Sequence, residues 1–153
     1  MTANPNSLAA RDIEFYFHPV TNARRHEQVG PMIITHGKGI HVYDDAGKEY
    51  IEAMAGLWSV AVGFGEERLA KAAAKQLSEL PYYHSFSHKS HPQAIALAER
   101  MVKMAPGKMG KAHFVNSGSE ANDTVVKMIW FYNNARGKPE KKKIISRVKA
   151  YHG

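Results

Sequence analysis

Between residues 111 and 123 the chain reads Lys-Ala-His-Phe-Val-Asn-Ser-Gly-Ser-Glu-Ala-Asn-Asp, an apolar run that turns at Asn116-Ser117-Gly118-Ser119 into helix-compatible residues. The chemistry such a turn can do is to hold an anion. Gly118 has no Cβ, so a ligand can come close to the backbone. Ser117 and Ser119 offer hydroxyls, and the first turn of a helix presents unpaired amides at the positive end of its dipole. A plainer reading fits the same residues. Ser117-x-x-Glu120 is a capping box, which starts a helix and binds nothing. Local sequence leaves both uses open.

Two further places have the residue types of a pocket. Ala53-Met54-Ala55-Gly56-Leu57-Trp58 is apolar, contains a glycine and lies outside any periodic stripe. A large aromatic such as Trp58 in that setting either plugs a seam or walls a ligand pocket. Tyr151-His152-Gly153 follows the strand-like Ile144–Val148, where open α/β sheets place their ligand crevice, and Tyr151 could stack on a planar cofactor.

Two other patterns imitate sites. Ser59 to Arg68 resembles a dinucleotide fingerprint, with Gly63-x-Gly65 leading to a helix. Arg68 replaces the third glycine, and Glu66 and Glu67 occupy the helix end where a pyrophosphate would sit, so the motif would repel its ligand. His84, His88 and His91 have i, i+4, i+7 spacing, but serines separate them and Pro92 disfavours helix at His91. No metal site is assigned.

The elements that would position these residues change character near residue 60. Before it come an amphipathic stretch at Leu8–Phe17 and three strand-like runs, Met32–His36, Ile40–Asp44 and Glu49–Ala53. Turns at Gly37-Lys38-Gly39 and Asp45-Ala46-Gly47-Lys48 separate the strands, as in an antiparallel meander. After it the period is helical, with Leu69, Ala72, Ala73, Gln76, Leu77 and Leu80 on one face behind Glu66 and Glu67. A second stripe runs from Ala94 to Ala105 and a third from Val125 to Tyr132. Strand-like runs at Ala112–Val115 and Lys143–Val148 alternate with these helices, which predicts an α/β layered domain with a mostly parallel sheet. Two such strands do not complete a sheet, so the carboxyl-terminal part reads as unfinished.

The 153 residues suffice for one ordinary core, and 44% hydrophobic with 23% charged residues is the balance of a globular protein. No cysteine is present, which excludes disulfides and thiolate metal sites and fits a reducing compartment. Residues 1–7 lack the basic and apolar regions of a signal peptide. The longest apolar stretch, residues 53–65, is shorter than the ~20 residues that span a bilayer. Together these predict a cytoplasmic protein with no membrane partner. The formal charge of +7 and the run Lys141-Lys142-Lys143 invite a nucleic-acid reading. No stacking aromatics interleave with the lysines, and the run reads as a solvated loop instead.

Taken in order, His18-Pro19-Val20-Thr21-Asn22, Leu57-Trp58, Leu80-Pro81-Tyr82-Tyr83, Gly118-Ser119-Glu120-Ala121-Asn122 and Tyr151-His152-Gly153 resemble the class III pyridoxal-phosphate-dependent aminotransferases, within them the omega-transaminases of the amine–pyruvate and β-alanine–pyruvate type. The resemblance covers nearly the whole chain. It implies an α/β fold, PLP-dependent transferase fold type I, with residues 1–60 contributing to the small domain and 61–153 beginning the cofactor-binding large domain. It implies pyridoxal 5'-phosphate as cofactor, held by Ser117, Gly118, Ser119, Tyr151 and His152. Leu57, Trp58 and Tyr151 would line the substrate pocket, with Val20 at its edge and Phe86 reaching into the partner's site across a homodimer. Substrates would be a small-molecule amine and a keto acid such as pyruvate.

In that family the aldimine lysine lies beyond the position matching Gly153, so no catalytic residue is assigned here and the remainder of the polypeptide is an expected partner. An aminomutase or decarboxylase of the same fold would share the phosphate turn. A non-catalytic anion-binding module is the remaining alternative.

Overall fold

The computed structural model describes residues 4–153, which divide into two compact units, one running to Tyr82 and the other from Tyr83 to Gly153. In the first unit, polar side chains start each early helix by accepting an amide that has no intrahelical partner. Ser7 Oγ takes the Ala10 amide at 3.1 Å to begin α1 (Leu8–Phe15), and Asn22 Oδ1 takes the Arg25 amide at 3.0 Å to begin α2 (Ala23–Val29). Gly30 ends α2 with φ 73°, a conformation that costs glycine little.

Three strands follow as an antiparallel meander in the order β1 (Ile34–Lys38), β2 (His41–Asp44) and β3 (Glu49–Ile51). The meander matches the reading from turn residues. Lys38 faces His41 across the first turn, and a bulge between Ile34 and His36 shifts the register. The second turn is built on Asp44, whose carboxylate accepts the amides of Ala46 (3.0 Å) and Lys48 (2.8 Å) and the hydroxyl of Tyr50 (2.8 Å). The Lys48 amide first, then the Tyr50 hydroxyl, hold the Asp44 carboxyl below its ordinary value. Val42, at the centre of β2, is the buried hydrophobic of the described residues.

The chain next makes a four-residue turn, α3 (Ala55–Trp58), and then α4 (Glu67–Glu79). Between them the dinucleotide imitation is resolved as packing. Gly39 and Phe64 exchange backbone hydrogen bonds of 2.9 and 2.8 Å, and the Phe64 ring lies where a Cβ on Gly37 would stand. A Cβ on Gly63 would be 3.0 Å from the Gly39 carbonyl oxygen. These glycines admit neighbouring protein atoms, and Glu66 caps α4 while pairing with Arg68 at 2.7 Å.

The second unit holds α5 (Pro92–Met104) and α6 (Gly118–Ala135), both where the apolar stripes place helices. Pro92 sits at the first helical position and His91 caps it, its Nδ1 accepting the Ala94 amide at 3.4 Å. Residues 80–91 contain no helix, so the three histidines are not aligned on a helical face.

The strand-like runs Ala112–Val115 and Lys143–Val148 differ from expectation. Neither forms a strand, and among the described residues the meander is the one sheet. A strand is defined by its neighbour's ladder, and no neighbour pairs with either run. The lysines just before the second run are tied to α6 by side chains instead. Trp130 Nε1 donates to the Lys142 carbonyl (3.0 Å), and Asn133 Nδ2 to that of Lys141 (3.1 Å). Lys142 lies 5.5 Å from the Trp130 ring centre, so part of the basic run is engaged with its own helix.

Candidate functional site

The candidate residues fall in both units. Val20, Leu57 and Trp58 belong to the first, and Phe86, Ser117, Gly118, Ser119, Tyr151 and His152 to the second. Within the second, the turn at the start of α6 has both features that its sequence offers. Ser117 is the N-cap, its Oγ accepting the Glu120 amide at 3.2 Å, and Glu120 reaches back to accept the Asn116 amide at 2.8 Å. The capping box is therefore made.

It leaves the anion site usable. The Gly118 and Ser119 amides, in the first turn, have no intrahelical acceptor. A hydroxyl that accepts through oxygen still has its proton to donate, so Ser117 can cap the helix and face an anion. Glu120 sets a negative charge near these donors, but its carboxylate is engaged with Asn116.

The tripeptide Tyr151-His152-Gly153 lies on the same helix end. The Asn122 side-chain amide donates to the His152 carbonyl. A Cβ on Gly118 would stand 2.8 Å from the Gly153 Cα, too close for any side chain at that position. Gly118 is thus required by a close backbone approach, which sequence alone could only suspect. The structure brings together Ser117, Gly118, Ser119 and His152, with Tyr151 adjacent and 85% exposed. Phe86 is not part of this group. It is 76% exposed, and its ring centre lies 5.8 Å from that of His84. Asn122 was within the recognised motif, but a role in holding residues 152–153 requires the fold.

In the first unit, Leu57 and Trp58 occupy a feature that sequence does not announce. Ala55, Gly56, Leu57 and Trp58 all have positive φ, at 49°, 59°, 60° and 69°. The Trp58 amide donates to the Met54 carbonyl at 2.9 Å, and the Ser59 amide to that of Ala55 at 2.8 Å. This is one turn of left-handed helix, a conformation costing about 1–2 kcal/mol for each L-residue. Backbone strain of this kind collects at binding and switch sites and persists where surroundings enforce it. Both side chains are exposed, Leu57 at 67% and Trp58 at 80%, so Trp58 does not plug a core seam within its unit. Val20 also has positive φ, 53°, and is fully exposed.

A cavity of about 220 Å³ between α1, α2 and their connection is lined by residues that include Phe15, Phe17, His18, Thr21, His26 and Glu27. At its edge Asp12, His18 and His26 converge, which their spacing of six and fourteen residues hides in the sequence. His18 Nε2 meets the Asp12 carboxylate at 2.9 and 3.0 Å, and His26 Nε2 meets it at 2.8 Å. Partial burial pushes the Asp12 carboxyl up, but hydrogen bonds from His26 and then His18, with their charges, outweigh it and hold it below its ordinary value. Each imidazole meets the carboxylate directly through its Nε2. The cluster is a clasp between α1, the connection carrying Val20, and α2.

With this geometry in view, the relatives are informative. The profile of the family described as Aminotransferase class-III matches residues 21–153. The mitochondrial gamma aminobutyrate transaminase 1 of Solanum lycopersicum is 52% identical over 136 residues, 88% of this chain and 26% of that protein. The crystal structure of the omega transaminase from Pseudomonas jessenii in complex with PMP is 63% identical, with a TM-score of 0.92 over 96% of this chain and 32% of that one. A thermostable transaminase variant, W58G, described as engineered for asymmetric synthesis of enantiopure bulky amines, is 62% identical, with a TM-score of 0.92 over 96% of this chain and 33% of that one. The chain spans about a third or less of the length of these relatives. The solved structures give the α/β fold of type I that the sequence implied. The chain belongs to the class III aminotransferases.

Proposed function

We propose that the complete protein is a pyridoxal-phosphate-dependent omega-transaminase, moving an amino group from an amine or omega-amino acid to a keto acid such as pyruvate. The observation that carries this reading is the start of α6. A capped helix end there has free first-turn amides beside a glycine that tolerates no side chain, in a chain of class III sequence.

The donor set fits a phosphate monoester. The amides of Gly118 and Ser119 and the hydroxyls of Ser117 and Ser119 would hold the phosphate dianion at the positive end of the helix. Tyr151 would cover the pyridine ring and His152 would order the segment beside it. Leu57 and Trp58 bound the space for the amine, with Val20 at its edge. When bound, the cofactor supplies an electron sink for the carbon whose proton is moved. No lysine of residues 1–153 is assigned to proton transfer, which is left to the remainder of the polypeptide.

The bulky-amine purpose of the W58G relative supports a pocket-wall role for Trp58. Exposure of Phe86 agrees with a place in a homodimer interface, where it would reach the partner's site. The division into residues 1–60 and 61–153 stands as the proposed domain assignment. A reducing compartment such as the cytoplasm suits a chain without cysteine. No helix of the described residues is long and apolar enough to cross a membrane.

The test replaces Gly118 with Val in the full-length protein and measures cofactor affinity by fluorescence, with circular dichroism as a check on folding. Sharply weakened binding in a folded variant is expected. Unchanged affinity would remove the α6 turn from the cofactor site.

A further inference from the structure

We infer that Glu52 is the positioning residue for the amine pocket, acting through the left-handed turn that presents Leu57 and Trp58. The inference rests on the pocket-wall reading of Trp58 and adds what holds that wall in place.

Glu52 follows β3 directly and remains attached to the sheet, its amide donating to the Ile40 carbonyl at 2.9 Å. Its carboxylate then reaches forward. Oε1 accepts the Met54 amide at 3.0 Å and Oε2 accepts the Gly56 amide at 2.8 Å. One side chain therefore collects an amide just before the reversed segment and one within it, one on each oxygen.

The Met54 and Gly56 amides at the entry to the turn need an acceptor, and the Glu52 carboxylate supplies it. An ionised carboxylate is the strongest acceptor available, and it favours two donors over one. The turn also needs glycine at position 56, because a Cβ there would meet Val60 Cγ2 at 2.8 Å. The carboxylate thus anchors the entry to the segment in which Leu57 and Trp58 have positive φ, and a strained segment persists only where such anchors hold it. Glu52 has no other assigned task. It is half-buried and forms no ion pair among the described residues.

Replacing Glu52 by Gln keeps its size, leaves one oxygen to accept and turns an NH2 donor towards a backbone N–H. The turn should then relax, moving Trp58 without altering the α6 phosphate site. The experiment measures kcat/KM for a small and a bulky amine in full-length wild type, Glu52→Gln, Glu52→Asp, Trp58→Ala and the Glu52→Gln/Trp58→Ala pair. Cofactor affinity and melting temperature are measured on the same samples. Glu52→Gln should change the ratio of efficiencies by roughly fivefold or more, the scale of a reshaped apolar pocket. Its cofactor affinity should stay that of wild type. Glu52→Asp, which restores two acceptors, should recover part of the ratio, and Glu52→Gln should add nothing once Trp58 is Ala.

A changed ratio for Trp58→Ala with an unchanged ratio for Glu52→Gln would overturn this inference alone. An unchanged ratio for Trp58→Ala would instead overturn the pocket-wall reading, and the inference with it. Should Glu52→Gln not fold, hydrogen exchange in the wild-type protein decides. Slowed exchange of the Met54 and Gly56 amides supports the clamp, and exchange at the rate of an unstructured peptide overturns it.

Discussion

At Trp58 two physical roles lead to opposite measurements. As a pocket wall, its replacement by Ala should raise the efficiency for bulky amines relative to small ones, by a few-fold to about a hundredfold, roughly 1–3 kcal/mol. As core filling, the same change would cost about 3–5 kcal/mol of stability. The pocket-wall reading expects a changed substrate ratio and a nearly constant melting temperature. At Asp12 the discriminating variable is pH. A carboxyl held below its ordinary value of 3.8 binds fewer protons folded than unfolded. The clasp's contribution is therefore present above that value and is lost as pH falls through the lower folded-state pKa. Amide exchange at Gly30, whose amide donates to the His26 carbonyl, should accelerate on acidification below pH 3.8. Asp12→Asn should show faster exchange already at neutral pH, with little further acid dependence.

At the scale of elements, the start of α6 serves capping and binding with the same residues. The Ser117 oxygen accepts the Glu120 amide, so Ser117→Ala should lower stability by about 1 kcal/mol, the usual value of an N-cap. Thermal denaturation of the full-length protein checks this. If the hydroxyl also donates to phosphate, cofactor affinity falls in the same variant, whereas Ser117→Thr should restore both. The left-handed turn at α3 shows a related economy. The sheet ends, one glutamate captures two amides, and the chain is reversed where two apolar side chains stand together.

For the whole molecule, the surface is the informative quantity. Stripes made for packing are open in both units, since Leu69, Leu77, Met101, Val125 and Met128 are each half-exposed or more. Residues 1–153 expressed alone should therefore bind an apolar dye such as ANS more strongly than the full-length protein does. The same fragment should transfer no amino group to pyruvate. A stoichiometric, borohydride-trappable cofactor adduct at one lysine of the fragment, with transfer activity, would contradict that expectation.

What sequence determined by itself was local. The meander followed from turn residues at Gly37–Gly39 and Asp45–Lys48, and helices α4, α5 and α6 from apolar stripes at helical period. The family followed from short motifs that include Gly118-Ser119-Glu120-Ala121-Asn122. Each of these is encoded within a few residues, which is the range over which turn chemistry and periodicity act. Other features needed the fold. Ala112–Val115 and Lys143–Val148 alternate like strands, yet a strand exists only with a partner, and none pairs with them here. Glu66 and Glu67 already argue against a nucleotide loop at Gly63 and Gly65, but the close approach of Gly63 to the Gly39 carbonyl needed the fold. The Asp12–His18–His26 clasp and the Asn122 contact to His152 join residues that no period links. The reversal at Ala55–Trp58 breaks the rule that L-residues avoid left-handed backbone, so no propensity could announce it. Its anchor, the Glu52 carboxylate, is near in sequence, but tertiary structure fixes where that anchor stands, because the Glu52 amide is bonded to the Ile40 carbonyl of the sheet.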